Sequence, residues 1–100
     1  MPAYLLVEIE IHSPEEYERY KTLTPASLAP FGGRFLARGG KAETIEGEGP
    51  PARVVVVEFP SMEKARQWWS SPGYAEAKLI RQRAAKTRMI LVEGINPQQS

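Results

Sequence analysis

Two arginines on one predicted strand are the residues whose type and spacing most directly suggest chemistry. Arg34 and Arg38 are four positions apart, and side chains at an even spacing on a strand point to the same face. Two guanidinium groups that converge can hold a carboxylate or a phosphate through paired hydrogen bonds. The alternative is that acidic side chains of the same sheet neutralise both arginines. The acidic candidates are Glu8, Glu10, Glu58 and Glu93.

Glu58 and His12 are the other groups that could transfer protons. Glu58 ends a run of four valines, so its carboxylate must be paired, solvated or functional. It is either a general base or the structural partner of an arginine. His12 is the only histidine and can act as a base or a ligand. Without other ligands nearby it does not indicate a metal site, and the alternative is a polar residue at a strand end. We expect neither a metal nor a cofactor.

Trp68 and Arg81 complete the set of ligand-binding candidates. Trp68, with its neighbours on the second helix, either lines an aromatic pocket or packs between helix and sheet. Arg81 shares a helical stripe with Tyr74 and Ala77, so we expect its side chain to be partly covered and paired.

Composition excludes several classes of protein. The chain has 100 residues, of which 13 are basic and 12 acidic. This length indicates one domain, and this balance gives no electrostatic reason to bind nucleic acid or an anionic membrane. The absence of cysteine excludes disulfides and thiolate chemistry. No signal peptide or membrane span is recognisable, and no phosphate-binding loop is present. We therefore expect a cytoplasmic protein.

The elements that position the candidates follow a βαββαβ order, which predicts a ferredoxin-like α+β fold with both helices on one face of an antiparallel sheet. The segments predicted as strands are 3–11, 34–38, 53–59 and 87–93. Pro25 should end or kink the first helix near Thr24, and segment 41–46 should resume the second strand. On that strand, alternation predicts that Phe35 and Ala37 face the helices while Arg34, Leu36 and Arg38 face away.

The face of the sheet away from the helices is predicted to be apolar. Its expected members are Tyr4, Leu6, Leu36, Val54 or Val55, Val56, and Ile90 or Met89. A monomer rarely leaves so much apolar surface in water. We therefore predict a homodimer in which two sheets pack face to face.

Several motifs in the chain resemble those of the DUF1330 family in order and spacing. They are the segment from Phe31 to Gly40 (FGGRFLARGG), the strand from Arg53 with Pro60-Ser61 after it, then Ala65, Trp68, Ser71-Pro72 and Tyr74, and finally Val92-Glu93-Gly94. The resemblance implies a dimeric α+β barrel, but no chemistry, because the family's function is unknown. We expect one such domain over residues 1–95 and a flexible tail over 96–100.

Two classes of function follow from these observations. The protein either binds or transforms a small anionic or aromatic metabolite, or serves as a non-catalytic dimeric structural or interaction module. A pocket with unpaired groups around the candidate arginines would favour the first class, and complete ion pairing across the sheet would favour the second.

Overall fold

The fold consists of a four-stranded antiparallel sheet with helices on one of its faces. The structure is a computed structural model, and it describes residues 1–95. The predicted tail over 96–100 lies outside these residues. The strands are β1 (Ala3–Ile11), β2 (Arg34–Arg38), β3 (Arg53–Phe59) and β4 (Ala85–Glu93), in the spatial order β2-β3-β1-β4. The helices are α1 (Pro14–Leu28), α2 (Met62–Trp69) and α3 (Pro72–Ala84), with a 3₁₀ turn at Ala29–Phe31. The predicted βαββαβ order is confirmed.

The core lies between the sheet and the helices. Alternate residues of β1 and β3 face it because side chains on a strand point to opposite faces in turn. Its largest fully buried side chains are Trp68, Tyr74, Phe59 and Leu28. The second helix of the predicted order is in two parts, because α2 ends at Trp69 and α3 begins at Pro72. No helix within residues 1–95 is long and apolar enough to cross a membrane.

Pro25 does not end α1, which continues to Leu28. Proline lacks the N–H that would bond to the carbonyl four residues earlier, that of Lys21. Nη2 of Arg38, on the neighbouring strand β2, donates to this carbonyl at 2.7 Å. The helix therefore does not end near Thr24, and a side chain from the sheet replaces the missing donor.

A bulge in β2 changes the predicted orientation of its side chains. The pairs across β2 and β3 are Arg34 with Glu58, Phe35 with Val57, Ala37 with Val56, and Arg38 with Val55. Leu36 is the extra residue, so alternation is broken at this point. Arg38 lies opposite Val55, which is buried under the helices, whereas Arg34 faces away from them. The prediction that Arg34 and Arg38 share a face is wrong, and so is the placing of Ala37 under the helices.

The segment between β2 and β3 is irregular, so the strand predicted over 41–46 is not formed. Gly39 begins the segment with a φ of 72°, a conformation that favours glycine. Its N–H donates to the carbonyl of Val54 at 2.9 Å. A side chain at position 39 would collide with the guanidinium of Arg53. Gly39 therefore lets the chain leave β2 directly over that arginine.

The face of the sheet away from the helices carries the predicted apolar surface, which we call the open face. Leu6, Ile90 and Val92 are 38, 40 and 45% exposed there. Val54 and Val56 belong to the same face, because they lie opposite Glu8 and Leu6 of β1. By the same register, Val55 and Met89 face the helices. The apolar surface that motivated the dimer prediction is therefore present.

Candidate functional site

Arg34 and Glu58 form an ion pair on the open face. Nε of Arg34 donates to Oε1 of Glu58 at 2.7 Å. The side chain of Glu58 is 23% exposed and that of Arg34 is 70% exposed. The pair gives the carboxylate at the end of the valine run a partner. It also occupies Arg34, one of the two arginines that the sequence suggested as an anion site.

Replacing Glu58 by glutamine should lower the free energy of unfolding by about 0.5–1 kcal/mol, because a largely exposed ion pair contributes little. Thermal melts at matched protein concentration measure this. Glu8→Gln is the control, since Glu8 lies on the same face and no ion pair joins it to another residue of 1–95. An unchanged or raised melting temperature for Glu58→Gln would contradict the ion-pair interpretation.

His12 lies apart from the other candidates. Its side chain is exposed, and its backbone N–H donates to the carbonyl of Ala84 at 2.8 Å. It follows the last residue of β1, whereas Glu58 is opposite Tyr4 near the first. The length of a strand therefore separates the two groups. Within residues 1–95, no three His, Cys, Asp or Glu side chains form a group that could hold a metal ion.

Arg38 shares its face of the sheet with Arg53, and not with Arg34 as the sequence predicted. It lies under α1 with its guanidinium carbon 4.3 Å from the ring centre of Phe35. Arg53, at the start of β3, projects to the same face, and its guanidinium carbon is 5.4 Å from the ring centre of Tyr17. With Lys21 of α1, these side chains line the gap between α1 and the edge of the sheet. We call Arg38, Arg53, Tyr17 and Lys21 the arginine mouth.

Neither arginine of the mouth has a carboxylate partner within the described part of the chain. Every ion pair within residues 1–95 involves other arginines or lysines. Arg38 uses one donor on the carbonyl of Lys21, and Nε of Arg53 is buried without any hydrogen-bond partner in this part of the chain. Lys21 is the exception in the mouth, because it pairs with Glu18 at 3.1 Å. The two guanidinium groups therefore leave several donors for an anion.

Tyr17 supplies a neutral hydroxyl to the mouth. Burial raises the pKa of Tyr17, and the nearby Arg53 only partly offsets the effect. The phenol therefore stays protonated at neutral pH, where it can donate a hydrogen bond but cannot serve as a base.

A small cavity lies behind the mouth. Its volume is about 20 Å³, and its walls include Phe35, Val7, Val55 and Met89. A cavity of this size holds roughly one water-sized group. A larger ligand would have to displace the flexible side chains of Lys21 and Arg38, which also line it.

Arg53 and Tyr17 are the functional candidates that sequence reasoning missed. Neither was among the ligand-binding candidates, and Arg53 was no more than the beginning of a predicted strand. The sequence carries no signal for Arg53, because the valine run leaves open which of its residues face the helices; the register with β1 places Arg53 beside Val55 and Val57 on the helix-facing side. It carries none for Arg38 either, because a single sequence does not reveal the bulge at Leu36.

Trp68 and Arg81 belong to a second, more deeply buried cluster. The Trp68 and Tyr74 rings have centres 4.0 Å apart, and the Trp68 Nε1–H donates to Oγ of Ser27 at 3.0 Å. Nε of Arg81 donates to the Tyr74 hydroxyl at 3.2 Å, and this hydroxyl is 2.8 Å from that of Tyr20. Arg81 is covered more completely than predicted, at 6% exposed. Its partner is a phenol, not a carboxylate.

The strand order and the helices on one face define a ferredoxin-like α+β protein. The chain belongs to the DUF1330 family, because the model of that family, described as a domain of unknown function, matches residues 2–95. The family resemblance inferred from the sequence is confirmed. No curated protein sequence matches this chain.

Solved structures share the fold at low sequence identity. A protein of unknown function from Rhodopseudomonas palustris, RPA0582, is 23% identical, with a TM-score of 0.75 over 96% of this chain and 84% of that one. SnoaB, a cofactor-independent oxygenase from Streptomyces nogalater, is 15% identical, with a TM-score of 0.68 over 99% and 98%. A protein of unknown function from Jannaschia sp. CCS1, described as dimeric and ferredoxin-like, is 13% identical, with a TM-score of 0.65 over 94% and 100%.

Proposed function

We propose that this protein binds a small organic anion at the arginine mouth. The anionic group lies between Arg38 and Arg53, and a short apolar part points towards Phe35 and the small cavity. The observation that carries the proposal is the presence of two neighbouring guanidinium groups without a carboxylate partner in residues 1–95. A guanidinium matches the two oxygens of a carboxylate or a phosphate.

The local arrangement favours an anion over a neutral ligand. The unpartnered Nε of Arg53 is buried, and an unsatisfied charged donor is costly. Like charges on Arg38 and Arg53 also repel each other, and a bound anion would relieve this repulsion. Tyr17 adds a neutral donor at the same place. The apolar lining of the cavity favours a ligand with a short hydrophobic part over an inorganic ion.

The residues of the mouth support binding more directly than catalysis. Tyr17 is neutral, and no carboxylate or histidine among residues 1–95 lines the cavity, so this part of the chain provides no general base there. SnoaB is an oxygenase of the same fold, but a fold does not define a reaction. Turnover of the bound anion is therefore a second step, to be sought after a ligand is known.

A thermal-shift screen of small carboxylates and phosphates tests the proposal. A true ligand present at about 100 times its Kd should add about 2.7 kcal/mol to the free energy of unfolding. Arg38→Ala and Arg53→Ala should each weaken binding by at least about tenfold, because hydrogen bonds to charged groups contribute about 1.5–3 kcal/mol. Arg34→Ala is the matched control, since it removes an arginine of the same strand from the opposite face. A ligand whose stabilisation survives both mouth substitutions would rule out this site.

The glycines after β2 provide an independent variant pair. Gly39→Ala should displace the guanidinium of Arg53 and weaken binding, because a Cβ at position 39 collides with it. Gly40→Ala should leave binding unchanged, since, apart from its chain neighbours, no atom of residues 1–95 would lie within 4 Å of the added methyl group. Equal affinities in the two variants would show that Arg53 does not contact the ligand.

We propose in addition that two chains associate through their open faces. The exposed side chains of Leu6, Ile90 and Val92 support this assembly, as does the dimeric description of the Jannaschia protein. The apolar surface of the open face also favours the second candidate function, that of a non-catalytic dimeric module. The anion screen separates the two, because a purely structural module would show no ligand that depends on Arg38.

A further inference from the structure

A groove larger than the mouth runs between β4 and the C-terminal parts of α2 and α3. Its volume is about 790 Å³, within the range of pockets that hold small organic molecules. Leu5, Trp68 and Met89 form the wall that it shares with the small cavity. Arg38 and Tyr17 of the arginine mouth do not line it. The groove is therefore a separate site, reached from the other side of the helix layer.

The charged groups of the groove all have the same sign. Arg66 and Arg81 line it, and no aspartate or glutamate among residues 1–95 does. Arg81 is 6% exposed, and its side chain donates one hydrogen bond within this part of the chain, to the hydroxyl of Tyr74. No carboxylate of residues 1–95 lies within ion-pair distance of it. A buried guanidinium without an anion is unfavourable, so the groove presents a cation that lacks its counter-charge.

The Tyr20 hydroxyl of this cluster does not supply the missing charge. Tyr74 accepts the hydrogen bond from Arg81 and is hydrogen-bonded in turn to Tyr20. Burial raises the pKa of Tyr20, so this phenol stays neutral at physiological pH. Neither Tyr20 nor a carboxylate of residues 1–95 therefore serves as the counter-charge of Arg81.

The remaining walls favour a flat apolar ligand. Trp69 is 46% exposed, and Nζ of Lys78 lies 3.7 Å from its ring centre. Met89 is half-buried on β4 across the groove. Oγ1 of Thr87, in the same strand, is buried without a hydrogen-bond partner in residues 1–95. An aromatic ring suits the apolar surface between the tryptophan and the methionine.

We propose that this groove binds an aromatic carboxylate, with the carboxylate on Arg81 beside Arg66 and the ring between Trp69 and Met89. The site depends on none of the residues of the arginine mouth. Failure of either proposal therefore leaves the other intact.

The probe for the test is 1-naphthoate, with neutral 1-naphthamide as its isostere. Titration into the ¹⁵N-labelled protein, followed by backbone amide shifts, should give saturable changes at Trp69, Gln82 and Met89. The amide should bind at least tenfold more weakly. Arg66→Gln and Arg81→Met should each weaken naphthoate binding at least tenfold.

Matched variants keep the test decisive. Arg88→Gln removes an arginine from β4 on the open face, opposite Glu8 of β1, and should leave the affinity within twofold. Arg38→Ala should do the same. Because Arg81→Met removes a buried hydrogen bond and could unfold the protein, the exposed Arg66→Gln and the amide probe carry the conclusion on their own. The proposal is overturned if naphthoate does not bind at millimolar concentration, if the amide binds equally well, or if Arg66→Gln and Arg88→Gln have the same effect.

Discussion

Replacing Trp68 by alanine should lower the free energy of unfolding by about 3–5 kcal/mol, the range for large aromatic side chains removed from a core. Trp68 is 2% exposed and packs against Tyr74 and Phe59, with ring centres 4.0 and 5.6 Å away. The substitution would also leave Oγ of Ser27 without the indole donor. Since Trp68 is part of the wall between the small cavity and the groove, its loss would join the two spaces.

Chemical denaturation at one fixed protein concentration measures the effect of Trp68→Ala. The control is Trp69→Ala, which changes the adjacent residue in the same way. Trp69 is 46% exposed, so its loss should cost less than about 1 kcal/mol, mainly through its contact with Lys78. Comparable losses for the two tryptophans would contradict the packing described for α2.

Leu6→Lys should convert the proposed dimer to a monomer. Leu6 lies between Val56 and Ile90 in the register of the sheet, near the middle of the open face. A lysine there would carry an unpaired charge into an apolar interface twice, once from each chain. We expect the dimer dissociation constant to rise by at least about 100-fold, equivalent to about 2.7 kcal/mol.

Analytical ultracentrifugation over a dilution series measures this change. The wild-type protein should sediment as two chains at micromolar concentration, and Leu6→Lys as one. Leu79→Lys is the control, because Leu79 is 59% exposed on α3, away from the open face. A wild-type monomer, or dissociation of the Leu79→Lys protein as well, would contradict assembly through this face.

The strands and their faces could be predicted where the sequence alternates strongly. β1 has the predicted bounds, and of the four apolar residues expected on its core face Leu5, Val7 and Ile9 are buried, whereas Ile11 at the strand end is 36% exposed. The valine run did not by itself show which residues face the helices. The register with β1 settles this, because it places Val55 and Val57 on the buried side.

The residues of the candidate site could be predicted less well, because contacts between elements distant in the sequence decide which side chains come together. Pro25 is a helix breaker by local rules, yet α1 continues because Arg38 bonds to the carbonyl that the proline leaves free. That contact exists only because the bulge turns Arg38 towards α1. Arg53 joins the site from another strand. Neither fact follows from the local sequence, although each residue type suits anion binding.

The bulge at Leu36 also decides which face of the sheet each residue of β2 occupies, and the amino-acid types alone do not reveal this. Before the extra residue, the even-numbered Arg34 points towards the proposed dimer partner. After it, the even-numbered Arg38 points towards α1. A regular strand of the same sequence, without the bulge, would place the positive charge of Arg38 on the assembly side together with that of Arg34. Two members of the family with identical arginines could therefore differ in whether that charge meets a ligand or a second subunit. To transfer the role of Arg38 to a relative, one must count residues back to the bulge as well as match the arginine.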